Sequence, residues 1–412
     1  MNVLDLAYAY ARRRPLATLL NVMLLAVGVA TITLVILLSR ELDSRLHREA
    51  AGIDLVVGAK GSPLQLVLAG IYHADVPPGN IPLAAIDTLR RNPLIREVIP
   101  LALGDSFHGY RIVGTEPAFV DHYSASTAHG HLWAAPMEAV LGSDVARTSR
   151  LSVGSTFNGS HGLAEGGGMH DEAPYRVVGV LAATGTVIDR LVLTGIESVW
   201  AVHEHHDDDD DHSRTAPAGR AKSDAGAKHG PAREVTLALV KYESPVAAAS
   251  LPRAINAETA LQSASPAYET ARLLTVFGVG TDVVAAFALL LIAASAFGLF
   301  VALTQALDER RYDLAIMRAL GAPRGKVVAV LLTESVLLAT LGLVLGLAIA
   351  HAVAANIGTW VPVAAPLEAG ARTWRTEEWG VVALALGAGI LATVIPAWRA
   401  YRLDVAATLA DG

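Results

Sequence analysis

Twenty-two consecutive residues, Ala17 to Leu38, carry no charged side chain, and that run limits what this chain can be. At about 1.5 Å per residue, a helix of this length covers about 33 Å, enough to cross a hydrocarbon core of about 30 Å. Inside such a core no water bonds the backbone, so the segment must satisfy its own amides as a helix. A cleaved leader has a shorter apolar region and a small-residue cleavage site, whereas LLSRELDSRL follows here. The run is therefore read as a retained first transmembrane helix, 17–38. Composition agrees, because 53% hydrophobic against 17% charged residues is more apolar than a water-screened core of this size requires.

Before it, Val3, Leu6, Ala7 and Tyr10 share one side of a helical pattern and lead into Arg12, Arg13 and Arg14, so 1–16 reads as an interfacial cytoplasmic helix. After it, 39–282 is expected to form a stalk and one mixed α+β domain. The best strands there are YRIVGT (110–115), YRVVGVLAA (175–183), RLVLTG (190–195) and VTLALVKY (235–242). Helices are expected at 82–91, 139–149 and 245–256. GAKGS (58–62) lacks phosphate-loop spacing and reads as a turn. Within the domain, 202–230 is a His/Asp-rich low-complexity run, expected to be a disordered loop.

Three further apolar runs, 283–303, 327–350 and 380–398, complete four transmembrane helices. They leave a charged loop at 304–326, a second loop at 351–379 and a tail at 399–412. Arginine and lysine concentrate at the N-terminus, in 304–326 and in the tail, whereas 351–379 holds only Arg372 and Arg375. The positive-inside rule then puts both termini and 304–326 in the cytoplasm, and the large domain between the first and second spans outside it. No basic stripe with interleaved aromatics points to nucleic acid. The absence of cysteine excludes disulfides and thiolate chemistry.

Specific wording then carries a resemblance. ERRYDLAIMRALGA, LTESVLLATLGLVLGLAIA and PAWRAYRLDVAATL resemble the cytoplasmic loop, third helix and closing helix of permeases typified by FtsX, LolC and the membrane part of MacB. AVLGSDVARTSRLSVGSTF and YRVVGVLAATGTVIDRLV resemble their outside domain. The resemblance implies an ABC-transporter permease of the bacterial inner membrane, working as a homodimer with a separate cytoplasmic ATPase that binds ATP and magnesium. It also implies an extracytoplasmic binding protein or lipoprotein as a partner. Carried over, Glu309, Arg310, Arg311, Tyr312, Asp313, Ile316, Met317, Arg318 and Leu320 form a coupling helix that docks on the ATPase. The chain has no phosphate-binding loop of its own, so ATP hydrolysis is expected on the partner. The alternative is a scaffold that signals to an outside enzyme or lipoprotein and transports nothing.

Two further features carry chemistry. His203, Glu204, His205, His206, Asp207 and His212 supply imidazole and carboxylate donors suited to zinc, in a loop expected to bind weakly; a solvated acidic loop is the alternative. Glu334 sits about two turns into the third span, where a carboxylate is costly. A structural or coupling role, with Arg318 or Arg324 nearby, is favoured over an ion pathway. Gly342 and Gly346 form a GxxxG pair that permits close helix packing.

Overall fold

The computed structural model describes residues 15–161, 174–202, 233–309, 323–360 and 373–402, together with 316 and 319. They fall into two compact units, one built from the chain up to Ser44 and from Leu274 onward, the other from Arg45 to Leu273. Helix α1 (Pro15–Ala50) opens on a proline, which is tolerated in the first turn because that N–H has no helical partner anyway. Its 36 residues measure about 54 Å, so the helix outruns a bilayer core of about 30 Å. It continues through SRELDSRLHREA, which contains neither glycine nor proline. Gly52, at φ +78°, then turns the chain away.

The second unit is a mixed domain. Its first half contains β1 (Leu55–Ala59), α2 (Pro63–Gly70), β2 (Ile81–Pro82), α3 (Leu83–Arg90), β3 (Ile95–Phe107), β4 (Tyr110–Thr115) and α4 (Pro117–His122). Then come β5 (Thr127–Gly130), β6 (Glu138–Leu141), α5 (Ser143–Ser149), β7 (Thr156–Phe157), β8 (Ser160–His161) and β9 (Tyr175–Leu181). It closes with β10 (Leu191–Gly195), β11 (Glu234–Val235), β12 (Leu237–Tyr242), α6 (Pro245–Glu258) and β13 (Leu261–Ala264).

One sheet organises the domain, in the order β13-β1-β12-β3-β4-β10-β6-β9-β5, with β7 on β9 and β8 on β3. Strand side chains alternate between faces, and here both faces are covered. Val56, Ile99, Leu101, Leu237 and Leu239 enter one core with Leu66 of α2 and Phe119 of α4. Their neighbours Leu55, Val57, Val98, Ala238 and Val240 enter a second with Ile86 of α3 and Leu251 of α6. Full burial of each such Val, Leu, Ile or Phe side chain contributes about 1.5–3 kcal/mol.

Two local outcomes refine the sequence reading. Residues 139–149, expected as one helix, divide into β6 and α5 at Gly142. EAVL pairs with both β9 and β10 and is buried on both faces, so its apolar run does not show the period that separates strand from helix. The turn read at 58–62 ends at Ser62, which caps α2 by accepting the Gln65 N–H at 3.4 Å, with Pro63 next.

Three long helices complete the first unit: α7 (Pro266–Glu309), α8 (Arg324–Trp360) and α9 (Glu378–Tyr401). With α1, they are, among the described residues, the four helices long and apolar enough to cross a membrane. α7 has 44 residues, about 66 Å, and like α1 extends well beyond the hydrocarbon. α8 runs on through His351 to Trp360, because AHAVAANIGTW holds no proline and its one glycine, Gly358, falls only in the last turn.

His73 sits buried in the domain, edge-on to Phe119 at 6.2 Å between centroids, and neither ring nitrogen has a hydrogen-bond partner. Burial, and then the guanidinium charges of Arg111 and Arg190, lower its pKa to about 3. Because the folded value lies below the unfolded one, the unfolded chain binds the extra proton between the two. This contribution to stability is therefore complete above pH about 6.5 and declines as pH falls toward the folded value, at about 1.4 kcal/mol per pH unit. Replacing His73→Gln in the full-length protein in detergent should flatten the fall in thermal midpoint between pH 6.5 and 4 by about one proton's worth. A slope identical to that of the parent protein would refute the assignment.

Candidate functional site

The centre of the helix bundle is built from small residues. A Cβ on Gly342 would meet Leu25, and one on Gly346 would lie 2.6 Å from the Ala26 carbonyl and 2.7 Å from Val29 Cβ. The paired glycines of α8 therefore admit the backbone of α1. Gly28 of α1 faces Ile292 and the Ala288 carbonyl of α7 in the same way, and Gly389 of α9 faces Ala339 of α8. Polar groups here find helix partners: Ser295 Oγ donates to the Asn21 carbonyl at 3.0 Å, and Ser335 Oγ to the Gly389 carbonyl. Glu334 is buried beside Ser335, at 7% exposure. Leu25, Val29, Ile292, Ala339 and Leu343 fill the space around these contacts.

At one end of this bundle the packing becomes ionic. Arg40, on α1 just past its apolar run, bonds Glu377 at 2.7 Å. Next to it Glu41, 4% exposed, faces Arg375 at 3.4 Å. Glu378, fully buried at the head of α9, accepts the Arg375 backbone N–H at 2.8 Å and lies 2.9 Å from His351 Nε2 on α8. Trp374 stacks on His351 with 6.3 Å between centroids. The sequence reading missed this cluster. Its only trace was the charge pattern RE at 40–41 and RTEE at 375–378 flanking apolar runs.

A second joint lies within the domain. Tyr72 Oη bonds the Leu46 carbonyl of α1 at 3.1 Å and Thr270 Oγ1 of α7 at 2.7 Å. Glu49, buried one turn after Leu46, accepts the Val187 N–H at 2.8 Å. Strands β1 and β13 pair antiparallel, Val56 opposite Ala264. The incoming and outgoing helices are thus attached to neighbouring strands.

Of the expected coupling residues, Glu309 ends α7 and Ile316 is helical and 38% exposed. Arg310, Arg311, Tyr312, Asp313, Met317, Arg318 and Leu320 lie outside the described residues. Leu307, which shares a helical face with Leu314 and Met317 in sequence, is buried in the bundle against Leu331 and Ala400 and so belongs to the membrane core. The expected zinc ligands His203, Glu204, His205, His206, Asp207 and His212 also lie outside the described residues. Among the described residues, no group of three or more His, Cys, Asp or Glu is placed to hold a metal ion.

The fold defines a class: a membrane protein of four apolar helices carrying a large α+β domain between the first and second. Residues 18–258 match the MacB-like periplasmic core domain, and residues 285–405 match the FtsX-like permease C-terminal domain. The chain belongs to this family of ABC-type permeases. Among solved structures it is similar to the periplasmic region of MacB from Actinobacillus actinomycetemcomitans, at 13% identity over 55% of this chain and 95% of that one, with a TM-score of 0.35. It is also similar to the extracellular domain of the noncanonic ABC-type transporter YknZ from Gram-positive bacteria, at 13% identity over 51% and 98%, with a TM-score of 0.30. Comparison with curated proteins gives no match.

The glycine contacts make a direct prediction. Gly346→Leu should destabilise the bundle by about 1–3 kcal/mol through overpacking against α1. Gly387→Ala, where a Cβ meets nothing within 4 Å, should be neutral. Thermal unfolding of both variants in detergent checks the contrast, and equal midpoints would disprove close packing at Gly346.

Proposed function

We propose that this chain is the permease subunit of an ABC transporter that passes ATP-driven movement from a cytoplasmic ATPase to its extracytoplasmic domain, for export or extraction of a substrate. Family membership supports the reading. The observation that carries it is that α1 and α7 run unbroken from their apolar stretches into the domain unit, ending on adjacent strands. A helix without an internal break transmits tilt and translation along its length, whereas a flexible linker would dissipate both. Neither α1 nor α7 holds a proline after its first residue.

In this reading Glu309 to Leu320 is the helix that the ATPase grips, and both termini are cytoplasmic. The permease acts as a homodimer in the bacterial inner membrane, with an extracytoplasmic binding protein or lipoprotein supplying or receiving the substrate. A carboxylate as buried as Glu334 serves packing or coupling within the bundle rather than ion conduction. Arg310→Glu with Arg311→Glu should reduce recovery of the ATPase with the affinity-tagged permease by about tenfold, a change of about 1.4 kcal/mol, while membrane insertion stays the same. Undiminished recovery would refute docking through this segment.

The same system is proposed to handle a divalent metal such as zinc, because of the ligand-rich run from His203 to His212. Calorimetry on the full-length protein in detergent should show weak zinc binding that shrinks when residues 203–212 are deleted. Equal heats from both proteins would remove the proposal.

A further inference from the structure

In the bilayer-spanning part of the bundle α1 is held by shape. Gly28 meets α7, and the pair Gly342 and Gly346 meets α8. Leu37 then packs on Ala354 near the end of the apolar run. One turn further the contacts change kind. Arg40 to Glu377 and Glu41 to Arg375 are crossed ion pairs joining α1 to the head of α9. Glu378 anchors them, accepting the Arg375 N–H and lying against His351 Nε2 of α8. We propose that this cluster is a releasable latch on α1, closed at rest and opened during the ATP-driven cycle. The inference rests on the coupling reading above.

Three observations favour a latch over a fixed brace. The Arg40–Glu377 pair is half-exposed, with side chains 54% and 35% accessible, and such pairs hold weakly because water competes for both partners. The Glu41–Arg375 contact is long at 3.4 Å, and Arg375 Nε is buried with no hydrogen-bond partner. A buried network left partly satisfied holds less firmly than a fully bonded one. Finally, the Leu37–Ala354 contact between the latch and the glycines is apolar and non-directional, so it yields to sliding. Releasing Arg40 and Glu41 leaves α1 pivoting on its small-residue contacts, and the same unbroken helix carries the tilt to Ala50.

This chain has no cysteine of its own, so Arg40→Cys and Glu377→Cys introduce the only thiols of the permease subunit. The full-length double variant is purified with its ATPase, reconstituted in vesicles and treated with a reducible bis-methanethiosulfonate linker. With Glu41–Arg375 and the Glu378 anchor still in place to close the latch, cross-linking should be extensive without nucleotide and about threefold lower with ATP and vanadate. The linked protein should hydrolyse ATP about fivefold more slowly, and reduction should restore the rate. Arg40→Glu alone should raise hydrolysis in the absence of substrate, and adding Glu377→Arg should return it to the parent value. Cross-linking that is the same in both nucleotide states of an active complex would overturn the latch and leave the coupling reading standing. Failure of any ATPase to associate would overturn both.

Discussion

The structure depends on one solvation constraint. A backbone amide inside hydrocarbon has no water to bond, so every apolar segment that crosses must close its own hydrogen bonds as a helix. In this chain two of those helices do not stop where the hydrocarbon stops. α1 continues for twelve residues past Leu38, and α7 begins well before its apolar run. The chain therefore enters and leaves the domain as two continuous helical rods. Because β1 and β13 are paired neighbours, the rods converge on one edge of the large sheet. Tyr72 ties them together there through Leu46 and Thr270.

Much of this was legible in the sequence, and the reasons differ by element. The spans announced themselves because lipid forbids charge over a fixed length, a signal that needs no knowledge of neighbours. β4, β9, β10 and β12 were visible as β-branched runs bounded by turn residues. The long strand β3, which pairs with β12 and β4 at the centre of the sheet, was not read. Its sequence, IREVIPLALGDSF, includes Pro100, which normally argues against a central strand. Tertiary pairing overrode that local signal. β6 was taken for helix because burial on both faces erases alternation.

The site was legible in a different measure. Gly342 and Gly346 were read as a packing pair from spacing alone, and a Cβ on either would meet Leu25, Ala26 or Val29 of α1. Spacing could not reveal the cluster of Arg40, Glu41, His351, Arg375, Glu377 and Glu378. Its members come from three segments more than three hundred residues apart at the extremes, and each pair alone looks like ordinary charge flanking a span. Tyr72 and Glu49 were hidden for the same reason. A tyrosine in a loop and a glutamate near a helix end carry no sign of their partners until the sheet brings α1 and α7 together.

The distribution of contact types along α1 follows from what each solvent permits. Within hydrocarbon, apolar side chains gain nothing from meeting each other rather than lipid, so helices associate through close backbone approach at glycine. Such contact is short-ranged, and a displacement of about 1 Å forfeits much of its attraction. It therefore sets a fixed point. At the polar boundary, a half-exposed pair such as Arg40–Glu377 exchanges partners with water at small net cost, so that contact opens without dismantling the bundle. Glycine at Gly28, Gly342 and Gly346, with half-exposed charge at Arg40, gives α1 a pivot in the membrane and a free-energy surface at its end flat enough to move on. Reversing that order would place unpaired charge in lipid and leave the rod without a fulcrum.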